Sequence, residues 1–309
     1  MTGIFILDKP EGFTSFDAVA VARRLFGQKK IGHTGTLDPM ATGVLPLLLG
    51  RATRAESLLP DTEKEYRASF ALGTRTGTGD ITGETIDHTD ARVSREQLFA
   101  VLPRFRGEIL QVPPMYSAVK KDGKRLYELA RKGIEVEREA RPVTIERLEL
   151  LRFDEEQQAG ELLVSCSKGT YIRALIEDLA AAAGTLGTMT ALRRTRACGF
   201  SLAEAVPLDE ARRLAETEDL SALVRPVEGL FAVYPAVTVS TAQAARFANG
   251  GALEKARTSL RGNPLADGER LRVLGPDGQF LGLAETAEGE LRVLRLFCEP
   301  SPGRKETQA

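Results

Sequence analysis

The 309-residue chain has no tryptophan, two histidines, three cysteines and a formal net charge of −1. Each scarcity closes a route. Cys166, Cys198 and Cys298 are odd in number, and no two stand at metal-ligand spacing, so a disulfide framework or a zinc site is not expected. They read as unpaired thiols of a reduced compartment. His33 and His88 lie outside any Cys/His cluster. A Ser-His-Asp triad would need one of them as base, and no G-x-S-x-G elbow is present. Neither G-x-G-x-x-G after a strand nor G-x-x-x-x-G-K-[ST] occurs, so the common nucleotide cradles are absent. No apolar run reaches membrane-spanning length, and "MTGIFILDKPEG" does not read as a secretory leader. The chain is expected to be cytoplasmic and to work with no metal or redox cofactor. With so small a net charge, a polyanion could be bound only through clustered cations.

What is present suits an ordinary globular protein: 42% hydrophobic and 28% charged residues. The length suggests two domains. Cations do cluster, at Arg23, Arg24, Lys29 and Lys30, at Lys120, Lys121, Lys124 and Arg125, and at Arg193, Arg194 and Arg196. Acidic residues at 154–156 and 285–290 offset them. Any one cluster taken alone reads as a solvated face.

The chain alternates between strand and helix patterns. "GIFILD" reads as a buried strand. "FTSFDAVAVARRLFG" reads as a helix, capped by Thr14 or Ser15 and ended by Gly27. "EYRASFALG" is a strand pattern, followed by the Gly/Thr-rich loop "GTRTGTGDITGET". Ser94 and Gln97 form a capping-box pattern ahead of another helix. Leu126, Leu129 and Ala130 give helical spacing, stopped at Gly133. "VTIERLELLRF" and "ELLVSCS" are strands. In "GTYIRALIEDLAAAAG", Ile172, Leu175, Ile176 and Leu179 recur at helical period up to Gly184. From about Val233 the texture becomes that of a small β-rich unit: a short helix "TAQAARFANGG", a hairpin around Pro276-Asp277-Gly278, and a last strand "ELRVLRLF". The tail 301–309 is expected to be disordered.

The stretch "IGHTGTLDPMATGVLPLLLGRATR" is the unusual one. Asp38 could be a helix N-cap with Pro39 at the first helical position. Gly43 and Pro46 leave little helix to cap, and Gly32, His33, Thr34, Gly35 and Thr36 specialise the backbone more than a cap requires. Spacing alone leaves cap and functional loop evenly balanced.

This stretch closely resembles the catalytic motif of the TruB family of tRNA pseudouridine synthases. "LDKPEGFTS" resembles that family's N-terminal block, and "KEYRASFALGTRTGTGDITGE" its tyrosine block and following loop. "VPPMYSAVKKDGKRLYELARKG" resembles its RNA-facing insertion, "CSKGTYIRALIEDLA" its arginine block, and "LRRTRACGF" its leucine-arginine block. Together these cover most of residues 3–205, in family order. The C-terminal part resembles a PUA-type RNA-binding domain through position and strand pattern. The resemblance implies an α+β (mixed α/β) fold around a largely antiparallel sheet. It implies a catalytic domain over 1–232, with the insertion at about 111–140, and a PUA-like domain over 233–300. It implies isomerisation of uridine to pseudouridine at T-loop position 55 of tRNA. Asp38 would start cleavage of the uracil–ribose bond, Tyr66 would stack on the target base, and Arg173 would pair with Asp38. His33 would lie where the flipped base had been. Lys9 matches the lysine of the N-terminal block, and Leu192 an apolar residue of the pocket. Lys120, Lys121, Lys124, Arg125 and Arg193 are candidates for RNA backbone contact. The partner would be the T-stem-loop of tRNA, met by a monomeric chain with no obligate protein partner and no membrane.

The chemistry agrees with the residues. Detaching uracil at N1 and rejoining it at C5 oxidises nothing and transfers no group, which suits a chain without cofactor motifs. It needs an ionised carboxylate, as nucleophile or as base towards the sugar, and a permanently charged arginine favours that form. A base extruded from RNA is held by stacking and edge hydrogen bonds. From spacing alone, however, Tyr66 reads as a core residue of a strand before it reads as a stacking platform, and Arg173 can be read as a surface arginine of an amphipathic helix. Arg194 and Arg196 could brace the core. Two other readings stay open: the related guide-dependent class, in which partner proteins and a guide RNA choose the uridine, and an RNA-folding protein without chemistry.

Overall fold

A computed structural model describes residues 1–217, 219–262 and 265–299. The expected disordered tail, 301–309, lies outside the described residues.

The chain adopts the mixed α/β class expected. Its main sheet holds eleven strands among the described residues. The path across it runs Val206–Pro207, Gly3–Lys9, Thr42–Leu49, Gly187–Ala197, Lys64–Leu72, Ala159–Cys166, Arg141–Asp154 and Gly107–Gln111. Two neighbouring pairs are parallel: Val206–Pro207 beside Gly3–Lys9, and Gly187–Ala197 beside Thr42–Leu49. The other pairs on this path are antiparallel.

The near-continuous apolar run of the first strand follows from burial on both faces. Phe5 and Leu7 point into one core with Ala18, Val19 and Ala22 of the helix Ser15–Leu25 and Leu175, Ile176 and Leu179 of the helix Ile172–Ala182. Ile4 and Ile6 point the other way, onto Val227, Leu230, Phe231, Leu283 and Phe297. Each Val, Leu, Ile or Phe side chain among these, fully buried, contributes about 1.5–3 kcal/mol. Thr14 is the N-cap of the first helix, in a capping box with Asp17, and Ser94 does the same with Gln97.

Two stretches behave differently from their sequence reading. Asp38 caps no helix: residues 38–41 make a turn, closed by Ala41 N–H donating to the Asp38 carbonyl, and the chain then enters the strand Thr42–Leu49. That strand keeps Pro46, paired with Ile6, inside the sheet. The segment containing "LRRTRA", for which periodicity predicted no element, is the central strand Gly187–Ala197. Gly43 makes its crossing possible. Its φ is +104°, and a Cβ there would lie 2.2 Å from the Arg194 carbonyl oxygen.

The C-terminal part forms a separate five-stranded sheet, ordered Ala236–Thr238, Arg270–Leu274, Phe280–Ala287, Glu290–Leu296 and Leu253–Glu254, with the helix Thr241–Ala248 beside it. The hairpin at Pro276-Asp277-Gly278 closes with Gly275 N–H donating to the Gln279 carbonyl. Phe231, Phe280 and Phe297 pack together between this sheet and the first strand. In the insertion, Lys120–Lys121 and Lys124–Arg125 make a short hairpin, followed by the helix Leu126–Ala130.

Candidate active site

The Asp38 turn is held from below. Ser15 Oγ donates to the Leu37 carbonyl at 3.2 Å and accepts from its N–H at 2.8 Å. Gly12 N–H donates to the Pro39 carbonyl. Lys9 is fully buried, and its ammonium donates to the carbonyls of Phe13 (2.6 Å), Pro10 (3.0 Å) and Pro39 (3.2 Å). Burial is the main reason its pKa falls to about 8, although Asp38 pulls it upward. Lys9 therefore lies buried against the loop and is not exposed beside Asp38. Arg194, also fully buried, donates through Nε to the Val44 carbonyl (2.6 Å), and through its two Nη atoms to those of Gly35 and Thr36. The position of Arg194 decides between a solvated face and a brace: it braces the core and the loop.

Arg173, second residue of the helix Ile172–Ala182, joins four segments. Its Nε faces Asp38 Oδ2 at 3.0 Å and Asp80 Oδ2 at 3.7 Å. Its Nη1 donates to the Thr78 carbonyl at 2.7 Å and Nη2 to the Tyr116 carbonyl at 2.9 Å, the latter in the insertion. The side chain is buried, so it is not a surface arginine. Asp80 is buried too, and accepts from Thr78 Oγ1 (2.8 Å), Thr82 N–H (3.0 Å) and Thr82 Oγ1 (2.5 Å). Sequence reasoning missed Asp80. Its signal was the Thr-Gly-Asp-Ile-Thr string, in which hydroxyls two residues to either side can fix a carboxylate.

The carboxyl of Asp38 sits in a balance. Burial pushes its pKa up, the Arg173 guanidinium opposes this, and the Asp80 carboxylate adds to the rise. The net direction is upward.

Tyr66 lies buried on the strand Lys64–Leu72, opposite Arg194 in the register with the central strand. Burial pushes its phenol up to about 12, against the pull of Arg194. Leu192 is buried in the same apolar cluster as Leu37 and Tyr66. His33 ends the short strand Ile31–His33, and its Nδ1 accepts from Gly35 N–H at 3.2 Å. Burial, then Arg194 and Lys64, lower its pKa, so the ring is neutral at pH 7. The exposed ring of Phe16 meets it edge-on at 6.2 Å. Asp38, Tyr66, Arg173 and His33 are thus gathered around one turn, and Leu192 belongs to the apolar core that Tyr66 joins. Lys120, Lys121 and Lys124 are exposed and Arg125 half-buried on the insertion hairpin, while Arg193 pairs with Asp8 at 2.7 Å.

On the other side of Arg173 a cavity of about 200 Å³ is lined by Arg75, Thr78, Tyr116, Arg138 and Glu177. It separates the insertion from the helix rather than opening at Asp38. Among the described residues no group of three His, Cys, Asp or Glu side chains could hold a metal ion. No helix among them is long and apolar enough to cross a membrane.

The arrangement offers one carboxylate, an arginine that favours its ionised form, and an aromatic ring, in a site braced by buried cations. The chain as a whole has counterparts among known proteins. Family models described as TruB family pseudouridylate synthase (N terminal domain), tRNA pseudouridylate synthase B C-terminal domain and Pseudouridine synthase II TruB, C-terminal match residues 23–172, 173–232 and 235–297. The tRNA pseudouridine synthase B of Azoarcus sp. (strain BH72) is 47% identical over 96% of this chain and 95% of its own. That of Burkholderia mallei (strain NCTC 10247) is 44% identical over 96% and 97%. A chain from a Cbf5-Nop10-Gar1 complex superposes with a TM-score of 0.71 at 25% identity, covering 96% of this chain and 85% of that one. With similarity running through the Asp38 turn, the Arg173 helix and the C-terminal sheet alike, the chain belongs to the TruB family of pseudouridylate synthases, which are isomerases.

Proposed function

We propose that this protein isomerises uridine to pseudouridine in the T-loop of tRNA, at position 55. The observation that carries the reading is the 3.0 Å contact between Arg173 Nε and Asp38 Oδ2 beside a buried tyrosine. The bond between uracil N1 and ribose C1′ breaks, the ring turns, and C5 bonds to C1′. N1 gains a proton and C5 loses one, so the product has the composition of the substrate. Asp38, ionised, starts the cleavage. Arg173 keeps it ionised and aimed, and Asp80 keeps Arg173 aimed. Tyr66 and Leu192 hold the extruded base, and neutral His33 fills the space it leaves in the RNA.

Residues 1–232 act as the catalytic unit, carrying the insertion of about 111–140, and 233–300 as a PUA-like RNA-binding unit. Stand-alone action is favoured over guide dependence by relatives named tRNA pseudouridine synthase B that are 44–47% identical along nearly the whole chain. The test is pseudouridine formation in unmodified tRNA transcript, with no guide RNA or metal added. Wild type should act at the T-loop uridine alone, and Asp38→Asn should lose roughly 10⁴-fold or more in rate. A folded wild type that binds tRNA but makes no product would refute the reading.

A further inference from the structure

Lys9 and Lys64 both lie close to the Asp38 turn, and they are treated oppositely by their surroundings. Lys9 has three carbonyls around its ammonium. Lys64 has no hydrogen-bond acceptor and no carboxylate within 4 Å among the described residues. It opens the strand that carries Tyr66, two residues on and therefore on the same face. In the register it stands between Cys166 and Ala197. Its side chain runs beneath Gly35, where a Cβ would lie 2.9 Å from Nζ and 3.9 Å from Arg194 Nη1. The absent side chain of Gly35 is what lets the ammonium reach this position.

The groups facing Lys64 do not neutralise it. Arg194 and Lys168 repel it, and the thiols of Cys166 and Cys198 are pushed up by burial, so they stay protonated at neutral pH. Burial and Arg194 accordingly lower the Lys64 pKa. A half-buried ammonium that no protein acceptor meets among the described residues, and that sits beside other cations, is less well compensated than a free one and is well placed to take up an anion. An anion arriving here would pair with it. Lys64 stands next to Gly35, three residues from Asp38, and two from Tyr66 on its own strand. Of the substrate's parts, the one that carries negative charge next to an extruded uridine is its backbone.

We propose that Lys64 binds a phosphodiester of the substrate RNA directly flanking the target uridine, so that Lys64 and Tyr66 grip one nucleotide by its phosphate and its base. This rests on the reading of the protein as a pseudouridine synthase. It makes Lys64 a binding residue distinct from the exposed cations of the insertion hairpin, which meet the backbone farther away.

The experiment uses the full chain and tRNA in which each of the three phosphates nearest the target uridine is replaced in turn by a neutral methylphosphonate. With wild type, one replacement should weaken binding about tenfold, the loss expected of one charge-assisted hydrogen bond. Lys64→Met should bind unmodified tRNA about tenfold more weakly, lower the slope of log K against log salt by roughly 0.7–0.9, and be indifferent to that one replacement. Lys64→Arg should keep most of the affinity. Because an unpaired charge is removed, Lys64→Met should unfold at no lower temperature than wild type. If no replacement weakens wild-type binding more than about twofold, or if Lys64→Met loses the same further factor on that linkage as wild type does, the phosphate contact is wrong. A wild type that shows the binding cycle but forms no pseudouridine overturns the reaction and leaves the contact standing. An active wild type indifferent to Lys64→Met does the reverse.

Discussion

Arg173 Nε lies 3.0 Å from Asp38 Oδ2, while both terminal nitrogens of the same guanidinium are committed to carbonyls of other segments, those of Thr78 and Tyr116. The arginine does not simply neutralise a carboxylate; it fixes where that carboxylate stands relative to the 74–89 loop and the insertion. Lysine offers one charge point and cannot bond in three fixed directions. Arg173→Lys should therefore lower the single-turnover rate roughly 100- to 1,000-fold with tRNA affinity changed less than threefold. Rapid-quench kinetics beside filter binding would check this. A lysine variant within tenfold of wild type would show that charge alone suffices.

A second carboxylate shares that guanidinium, and its effect has a sign. Asp38 has its pKa raised by burial and by Asp80, against Arg173. Catalysis needs the ionised form, so the rate should climb with pH through a midpoint above the ordinary aspartate value and then level off. Asp80→Asn removes a negative charge that disfavours ionisation of Asp38, so the rising limb should move to lower pH. The plateau should fall between roughly ten- and a hundredfold, because Arg173 loses an anchor. Single-turnover rates from pH 4.5 to 8 would show both. A lower plateau with an unmoved limb would mean Asp80 acts on position but not on charge.

Much of this was legible in the residues and some was not. Apolar spacing places the helices Ser15–Leu25 and Ile172–Ala182 because each buries a stripe on one sheet face. Periodicity did not predict the strands Thr42–Leu49 and Gly187–Ala197. The first contains Gly43 and Pro46. The second carries Arg193, Arg194 and Arg196, where period-2 apolar residues would be expected. Arg194 is tolerated there because three loop and strand carbonyls meet its guanidinium, a long-range arrangement that no local window contains. The resemblance to a family pointed to the pairing of Arg173 with Asp38. The share Asp80 has in it is visible only once the 74–89 loop folds against the helix.

Lys9 is a positioning residue by the same geometry. Its ammonium ties the Pro39 carbonyl, one residue beyond Asp38, to the end of the first strand. Lys9→Met fills a similar volume but leaves three carbonyls without that donor. We expect a loss of about 1–3 kcal/mol in stability, the cost of unsatisfied buried acceptors. The rate constant should fall with tRNA affinity nearly unchanged, since Lys9 is not exposed. Denaturant unfolding together with the split between kcat and KM tests this. A variant as stable as wild type with weakened tRNA binding would move Lys9 into the RNA contact surface.

The insertion hairpin should behave as an electrostatic handle. Its four cations are not equivalent. Lys121 Nζ donates to the Glu137 carbonyl, and Arg125 Nη1 donates to the Tyr127 hydroxyl at 2.9 Å with Glu128 close by. Lys120 and Lys124 are exposed, and among the described residues neither has an ion pair or hydrogen bond through its ammonium. The pair Lys120→Gln and Lys124→Gln should therefore flatten the salt dependence of tRNA binding more than Arg125→Gln does, by roughly 0.7–0.9 for each phosphate no longer neutralised. The weakening should be the same for tRNAs of different T-loop sequence, because phosphate contacts orient without reading bases. Saturating enzyme should restore the wild-type rate, since none of these residues touches Asp38 or Arg173. Binding isotherms between about 50 and 200 mM salt, with the rate measured at saturation, separate this from a conformational role. If the rate stays low at saturation, the hairpin acts through its covalent link to Tyr116, whose carbonyl holds Arg173.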